Sequence, residues 1–244
     1  MPTFATFLLL LFFGLPAFTQ NIKISDHVFL SPINEHTYLH VSFHEFEGFG
    51  KVASNGLLVI KNGKALLVDT PADEPTTIEL YDYITSELNA QVTTLIIGHY
   101  HADCMAGMPF LQEKGVETIS GSKTSSICKN TGKAQSQRKF KKALNFDFEG
   151  SKVDCRYLGG GHTEDNIVVY LPEEKILFGG CLVKSLSSKN LGNTEDADLK
   201  AWPKTLNKVE KTFPMSKIVI PGHGRSGGMD LILHSMDLLK NHKK

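Results

Sequence analysis

"VTTLIIGHYHADC", residues 92 to 104, is an apolar run that ends in two histidines, an aspartate and a cysteine. Its first six residues read as a buried strand, and Gly98 marks where that strand opens into a loop. His99 and His101 stand at i and i+2, so on extended backbone both side chains leave the same face, with Asp103 two residues further along. A loop built this way can reach a metal ion, and imidazole with carboxylate suits a borderline ion such as zinc. A solvated polar loop also contains such residues, so distant positions must decide.

The flanking sequence alternates short β-type runs with helical patterns. "LLVIKNGKALLVDT" (57–70) reads as a hairpin turning at Asn-Gly, its second arm ending at Asp69, and "DEPTTIELYDYITSEL" (73–88) has helical spacing. After the histidines come a helix ending at Gly115, the strand "VETISG" and a polar helical region to about Lys142. The second half repeats the theme, with strands near "SKVDCRYLGG", "NIVVYLP" and "KILFGG". A helix over roughly 197–212, the strand "KIVIPGH" and a last helix from about 229 complete it. No Ser/Gly linker separates the halves, which predicts one domain over residues 20–244. Alternation implies sheets covered by helices. Two β-rich halves suggest an α/β four-layer αββα sandwich, with a doubly wound single sheet as the alternative from pattern alone.

Each later strand also ends on a potential ligand. His162 follows "YLGG" in "GGGHTEDN", Cys181 follows "KILF" in "GGC", and His223 follows "KIVI" in "PGHG". Glycines beside each allow tight turns and close backbone approach. Singly, each has a plain structural explanation as a turn, a small buried residue or a loop histidine. Four strand-end loops repeating one theme do not.

Composition narrows the partner. Lys plus Arg and Asp plus Glu balance at 26 each in 244 residues, so no whole-chain field attracts nucleic acid or an anionic membrane. A small molecule is the expected partner. The most basic run, Lys133 to Lys142, reads first as a solvated helix face. The apolar segment Phe4 to Phe13 is short for a membrane span and fits a signal peptide over residues 1–19, although no Lys or Arg precedes it. The expected mature protein lacks a membrane span and is exported to the periplasm. There, four cysteines (Cys104, Cys128, Cys155 and Cys181) suggest disulfides.

The joined motifs "HYHAD", "GGGHTEDNIVVYLPEEKILFGGCLVKS", "LGN" and "PGHG" resemble those of the metallo-β-lactamases, specifically the B1 subclass whose second metal site includes a cysteine. The resemblance spans about Ile24 to Lys240 and selects the αββα sandwich, with the site in a groove at its edge. It implies that His99, His101 and His162 bind a first zinc, and Asp103, Cys181 and His223 a second, giving two Zn²⁺ per chain. Three protein ligands per metal leave positions open for water, as catalytic zinc requires.

The implied activity is zinc-dependent hydrolysis of the β-lactam amide by a metal-activated hydroxide, conferring antibiotic resistance. Carbapenems, cephalosporins and penicillins are the expected substrates and monobactams the exception. Asp103 would also orient the nucleophile, Lys184 would grip the substrate carboxylate, and Asn193 would assist the developing oxyanion. "SFHEFEGFGKVASNG" (42–56) resembles the family's hairpin over the groove, with Phe46 and Phe49 covering an apolar substrate face, and Asp69 resembles an aspartate bracing the His loop. Taking Cys181 as a ligand leaves three cysteines, of which Cys128 and Cys155 are the candidate disulfide. Cys104 replaces the histidine that glyoxalase-like and nuclease-like relatives carry after the motif's aspartate, and is expected to be an oxidisable bystander. A monomer is expected. The competing functions are a thioester or lactone hydrolase on the same fold and a zinc-binding protein without catalysis.

Overall fold

The computed structural model describes residues 20–48 and 50–242. The 1–19 signal-peptide assignment and Phe49 lie outside the described residues. One mixed sheet runs in spatial order β1 (Ile22–Lys23), β2 (Val28–Pro32), β3 (Thr37–Phe46), β4 (Gly50–Lys61), β5 (Lys64–Val68), β6 (Gln91–Ile97), β7 (Glu117–Gly121) and β8 (Arg138–Phe140). The helices α1 (Glu74–Ser86), α2 (Ala102–Met105), α3 (Met108–Glu113) and α4 (Ser122–Asn130) fall between its strands. A second sheet holds β9 (Ala143–Phe148), β10 (Ser151–Arg156), β11 (Val168–Leu171), β12 (Ile176–Gly180) and β13 (Ile218–Pro221), in the order β13-β12-β11-β10-β9. The helices α5 (Trp202–Thr212) and α6 (Asp230–His242) belong to this half.

Side-chain alternation divides these strands between layers. Leu57, Val59, Leu66, Val68 and Ile96 join Val169, Ile176, Phe178 and Ile220 in a core between the sheets. Their neighbours Leu58, Leu67, Leu95 and Ile97 pack with Leu80, Ile84 and Leu111 of α1 and α3 in a second core. Leu177 and Val219 pack with Trp202, Leu206 and Leu231 of α5 and α6 in a third. Strands buried on both faces therefore carry continuous apolar runs. The result is the four-layer αββα sandwich expected.

The Asn62-Gly63 hairpin forms as read, with positive φ at both residues. The basic run is different. Helix α4 stops at Asn130, and Gly132 adopts φ 70°, which ends the helix and turns the chain away. Residues 138–140 then form the edge strand β8, with Phe140 buried in the inter-sheet core. The cysteine pairing is also corrected. All four thiols are free and buried: Cys128 packs in the core beneath α1 and α3, and Cys155 in the core between the sheets. The eight-stranded sheet lies between these cores, so the two cannot bond. Among the described residues no helix is long and apolar enough to cross a membrane.

Candidate metal centre

The strands deliver their loops to one edge of the sandwich. Beyond β6, the Gly98 N–H donates to Asp69 Oδ1 at 2.5 Å, and the Gly98 carbonyl accepts from Ile167 N at 2.9 Å. This joins the His99 loop to the second sheet. His101 sits at the start of α2, which places Asp103 and Cys104 within that short helix. His162 lies in the β10–β11 loop, where Asn166 accepts from Thr163 N at 3.2 Å and donates to Gly159 O at 3.1 Å. Cys181 follows β12 and His223 follows β13. A Cβ at Gly222 would fall 2.4 Å from Cys181 Sγ, so glycine is what lets these two loops meet.

The six predicted donors converge. His101 Nδ1 lies 3.2 Å from His162 Nε2. His223 Nε2 is 3.3 Å from Asp103 Oδ2 and 3.4 Å from Cys181 Sγ, which is 3.7 Å from the same carboxylate oxygen. Donor atoms of His99, His162 and Cys181 also lie within 4.8 Å of one another, so the six form one continuous cluster. A tetrahedral zinc with bonds of about 2.0–2.3 Å sets its ligand atoms roughly 3.3–3.7 Å apart, the spacing seen here.

The remaining ring nitrogens orient the imidazoles. His223 Nδ1 donates to Ala53 O at 2.9 Å, which turns Nε2 toward Asp103 and Cys181. Burial opposes protonation, yet those two acidic groups hold the His223 ring well above the usual histidine value, so a bound cation would displace the Nε2 proton. His101 Nε2 meets Asp196 Oδ2 at 2.9 Å, leaving Nδ1 to face His162. His99 Nδ1 meets Cys104 Sγ at 3.0 Å, while its Nε2 is buried with no partner in the protein. An orphaned buried nitrogen is costly unless a ligand occupies it. Cys104 is thus no bystander: its thiol touches the His99 ring, and the donor atoms of His99, Asp103 and Cys104 lie within 4.8 Å of one another.

Electrostatics suit a cation. Burial pushes His99 down to about 3 and His162 well below the usual histidine value, so both are neutral with lone pairs available. Burial opposes ionisation of Asp103, yet the His223 hydrogen bond and neighbouring imidazoles hold its carboxyl well below the usual carboxylate range. Burial pushes the Cys181 thiol up, so a thiolate there needs a cation beside it.

A cleft of about 520 Å³ opens over the cluster, and Phe46, Lys184 and Asn193 line it. Phe46 closes the β3–β4 hairpin opposite Gly50 and stacks edge-on with His44, centroids 4.8 Å apart. Lys184 is buried, its Nζ 5.4 Å from the Trp202 ring centroid and its backbone N–H donating to Ser235 Oγ at 2.8 Å. Asn193 accepts from Glu195 N through Oδ1 at 3.0 Å, which leaves Nδ2 as a donor. Sequence reasoning missed Asp196 and Asn55, and placed Lys133 on a helix face. Structure puts Lys133 in the cleft wall. The signal for Asn55 was a polar residue opening the apolar run "NGLLVI"; Asp196, in a polar loop three residues past Asn193, stood out by nothing.

The Metallo-beta-lactamase superfamily model matches residues 49–223. A metallo-β-lactamase type 2 of Bacteroides fragilis is 43% identical over 91% of this chain and 90% of its own. The chain belongs to the metallo-β-lactamase superfamily, in its class B, B1-like branch. The metallo-β-lactamase type 2 of Bacillus cereus is 40% identical, over 86% of this chain and 82% of its own. Among solved structures, a metallo-β-lactamase from Pontibacter korlensis superposes with a TM-score of 0.85 at 37% identity, covering 88% of this chain and 99% of that one. The His/Cys/Asp groups of this metallo-β-lactamase are of the kind that holds zinc in the family.

Proposed function

We propose that this metallo-β-lactamase hydrolyses the amide bond of β-lactams with two zinc ions per chain, and so confers resistance to carbapenems, cephalosporins and penicillins. The observation that carries the reading is the six-donor cluster, with its orphaned His99 nitrogen, at the floor of an open cleft. His99, His101 and His162 would hold one ion, and Asp103, Cys181 and His223 the other. Zinc bound there supplies a nucleophile from water at neutral pH and an electrophile for the carbonyl.

The chain's own groups do the rest. Asp103 is anionic and buried, and so is placed to orient the attacking water by hydrogen bonding. The ammonium of Lys184, stacked on Trp202, meets the carboxylate that β-lactams carry. Asn193 Nδ2 donates to the oxyanion as the carbonyl becomes tetrahedral, and a donor in that role contributes about 2.7–4 kcal/mol in other enzymes. Phe46 covers the apolar face of the substrate and excludes water, a role the sequence resemblance also assigns to Phe49. Residues 20–244 act as one catalytic domain, monomeric in the periplasm, after removal of the 1–19 signal.

Purified mature protein is assayed on a carbapenem and a chromogenic cephalosporin beside a thioester and a lactone panel. Turnover confined to the β-lactams is expected, and turnover confined to the panel would replace the reading with another hydrolase on the same fold.

A further inference from the structure

A second cation stands in the cleft wall on the His101 side. The Lys133 backbone N–H donates to Cys128 O at 2.8 Å, and Gly132 just before it turns left-handed at the end of α4, so the backbone at this position is fixed. Lys133 Nζ rests 3.4 Å from Tyr100 O and 5.2 Å from the Tyr100 ring centroid. A carbonyl and a π face hold an ammonium in place without neutralising it. Of the carboxylates nearby, Asp196 meets His101 at 2.9 Å, Glu164 meets Lys123 at 3.1 Å, and Asp165 is fully buried, away from the exposed Lys133 ammonium. Among the described residues no carboxylate lies within ion-pair distance of Lys133 Nζ. Its charge is therefore exposed, positioned and unpaired, in a cleft whose other lysine, Lys184, comes from the loop after Cys181.

We infer that Lys133 is a specificity-determining residue that receives a second anionic group on the substrate, favouring dianionic β-lactams whose acyl side chain carries a carboxylate. The inference rests on the β-lactamase reading. A substrate with one carboxylate engages Lys184 alone. One with a further carboxylate on its acyl arm spans the donor cluster and places that group at Lys133.

Carbenicillin and benzylpenicillin differ by one side-chain carboxylate and serve as the probe pair. Steady-state kinetics of the zinc-loaded wild type, Lys133→Gln and Lys133→Arg are measured at two salt concentrations. Lys133→Gln should raise KM for carbenicillin roughly fivefold, the size of a partly exposed ion pair, and leave benzylpenicillin within twofold. Lys133→Arg should retain the wild-type ratio, and added salt should erode it. Equal changes on both substrates, or none on either, would overturn the inference while leaving the hydrolase intact. Wild type that turns over neither penicillin but hydrolyses the carbapenem or cephalosporin would overturn the inference alone, and wild type that turns over none of the four would remove the β-lactamase reading with it.

Discussion

Asn55 Nδ2 donates to the carbonyl oxygens of Pro221 and Gly224, 2.8 Å to each, so one amide on β4 clasps both sides of His223. The Asn55 backbone N–H adds a third bond, to Gly222 O at 2.8 Å. The clasp links the two sheets at the point where the cluster needs His223 held. Asn55→Ala leaves the buried Pro221 carbonyl and the part-buried Gly224 carbonyl without this donor and should lower stability by about 1–3 kcal/mol. Because it loosens a metal-donor loop, zinc affinity should fall about 10- to 100-fold. Urea unfolding and competition against a chromophoric chelator measure the two effects. Unchanged affinity in a folded variant would show that His223 is held by its own bond to Ala53 O.

Asp196 fixes the His101 ring by accepting from Nε2. Asp196→Ala should free that ring and cut zinc affinity or kcat about 10- to 100-fold, with Asp196→Asn recovering part of the loss because an amide oxygen still accepts. Isothermal titration of the metal-free protein reads the affinity. Equal behaviour of the two variants would mean that charge, not orientation, is what Asp196 contributes.

Lys184 lines the cleft and is the group proposed to meet the substrate carboxylate. Lys184→Ala should raise KM for a monoanionic cephalosporin at least tenfold with a smaller change in kcat, the pattern of lost ground-state binding. An unchanged KM rejects the carboxylate role and leaves Lys184 as packing against Trp202.

His40 introduces an acid sensitivity unrelated to the cleft. It is buried, with Nε2 at 3.2 Å from Asp69 O, and burial pushes its pKa from 6.5 down to about 4. The folded protein therefore keeps His40 neutral where the unfolded chain would bind a proton. Its contribution to stability is fully present above pH 6.5 and is lost as pH falls from 6.5 to about 4, a change of roughly 3 kcal/mol. Metal-free wild type should lose that much more stability than His40→Gln between pH 7 and 4 in urea unfolding. Parallel pH profiles would place the acid sensitivity elsewhere.

The legible parts of this chain were those that obey short-range periodicity. Apolar runs ending in Gly and a ligand residue located β6, β12 and β13 and the donors beyond them, because a strand buried on both faces has no polar position until its end. Strands β1, β2 and β9 and the start of β3 escaped reading, and β8 reads as helix. In β9, Leu144, Phe146 and Phe148 turn inward while Ala143, Asn145 and Asp147 face out, an alternation overshadowed by the lysines before it. Cysteine counting failed because pairing depends on which core a thiol enters, and Cys128 and Cys155 enter different ones. Asn55, Asp196 and Lys133 act through contacts 33 to 169 residues away, which no local pattern records.

Zinc content per chain and β-lactam turnover, followed in one chelated sample as zinc is added back, test the proposed chemistry most directly. Expected are loss of turnover with the chelator, return with added zinc, and saturation at two zinc ions per chain. Turnover that survives complete zinc removal, or a folded protein that carries two zinc ions and hydrolyses no β-lactam, would contradict it.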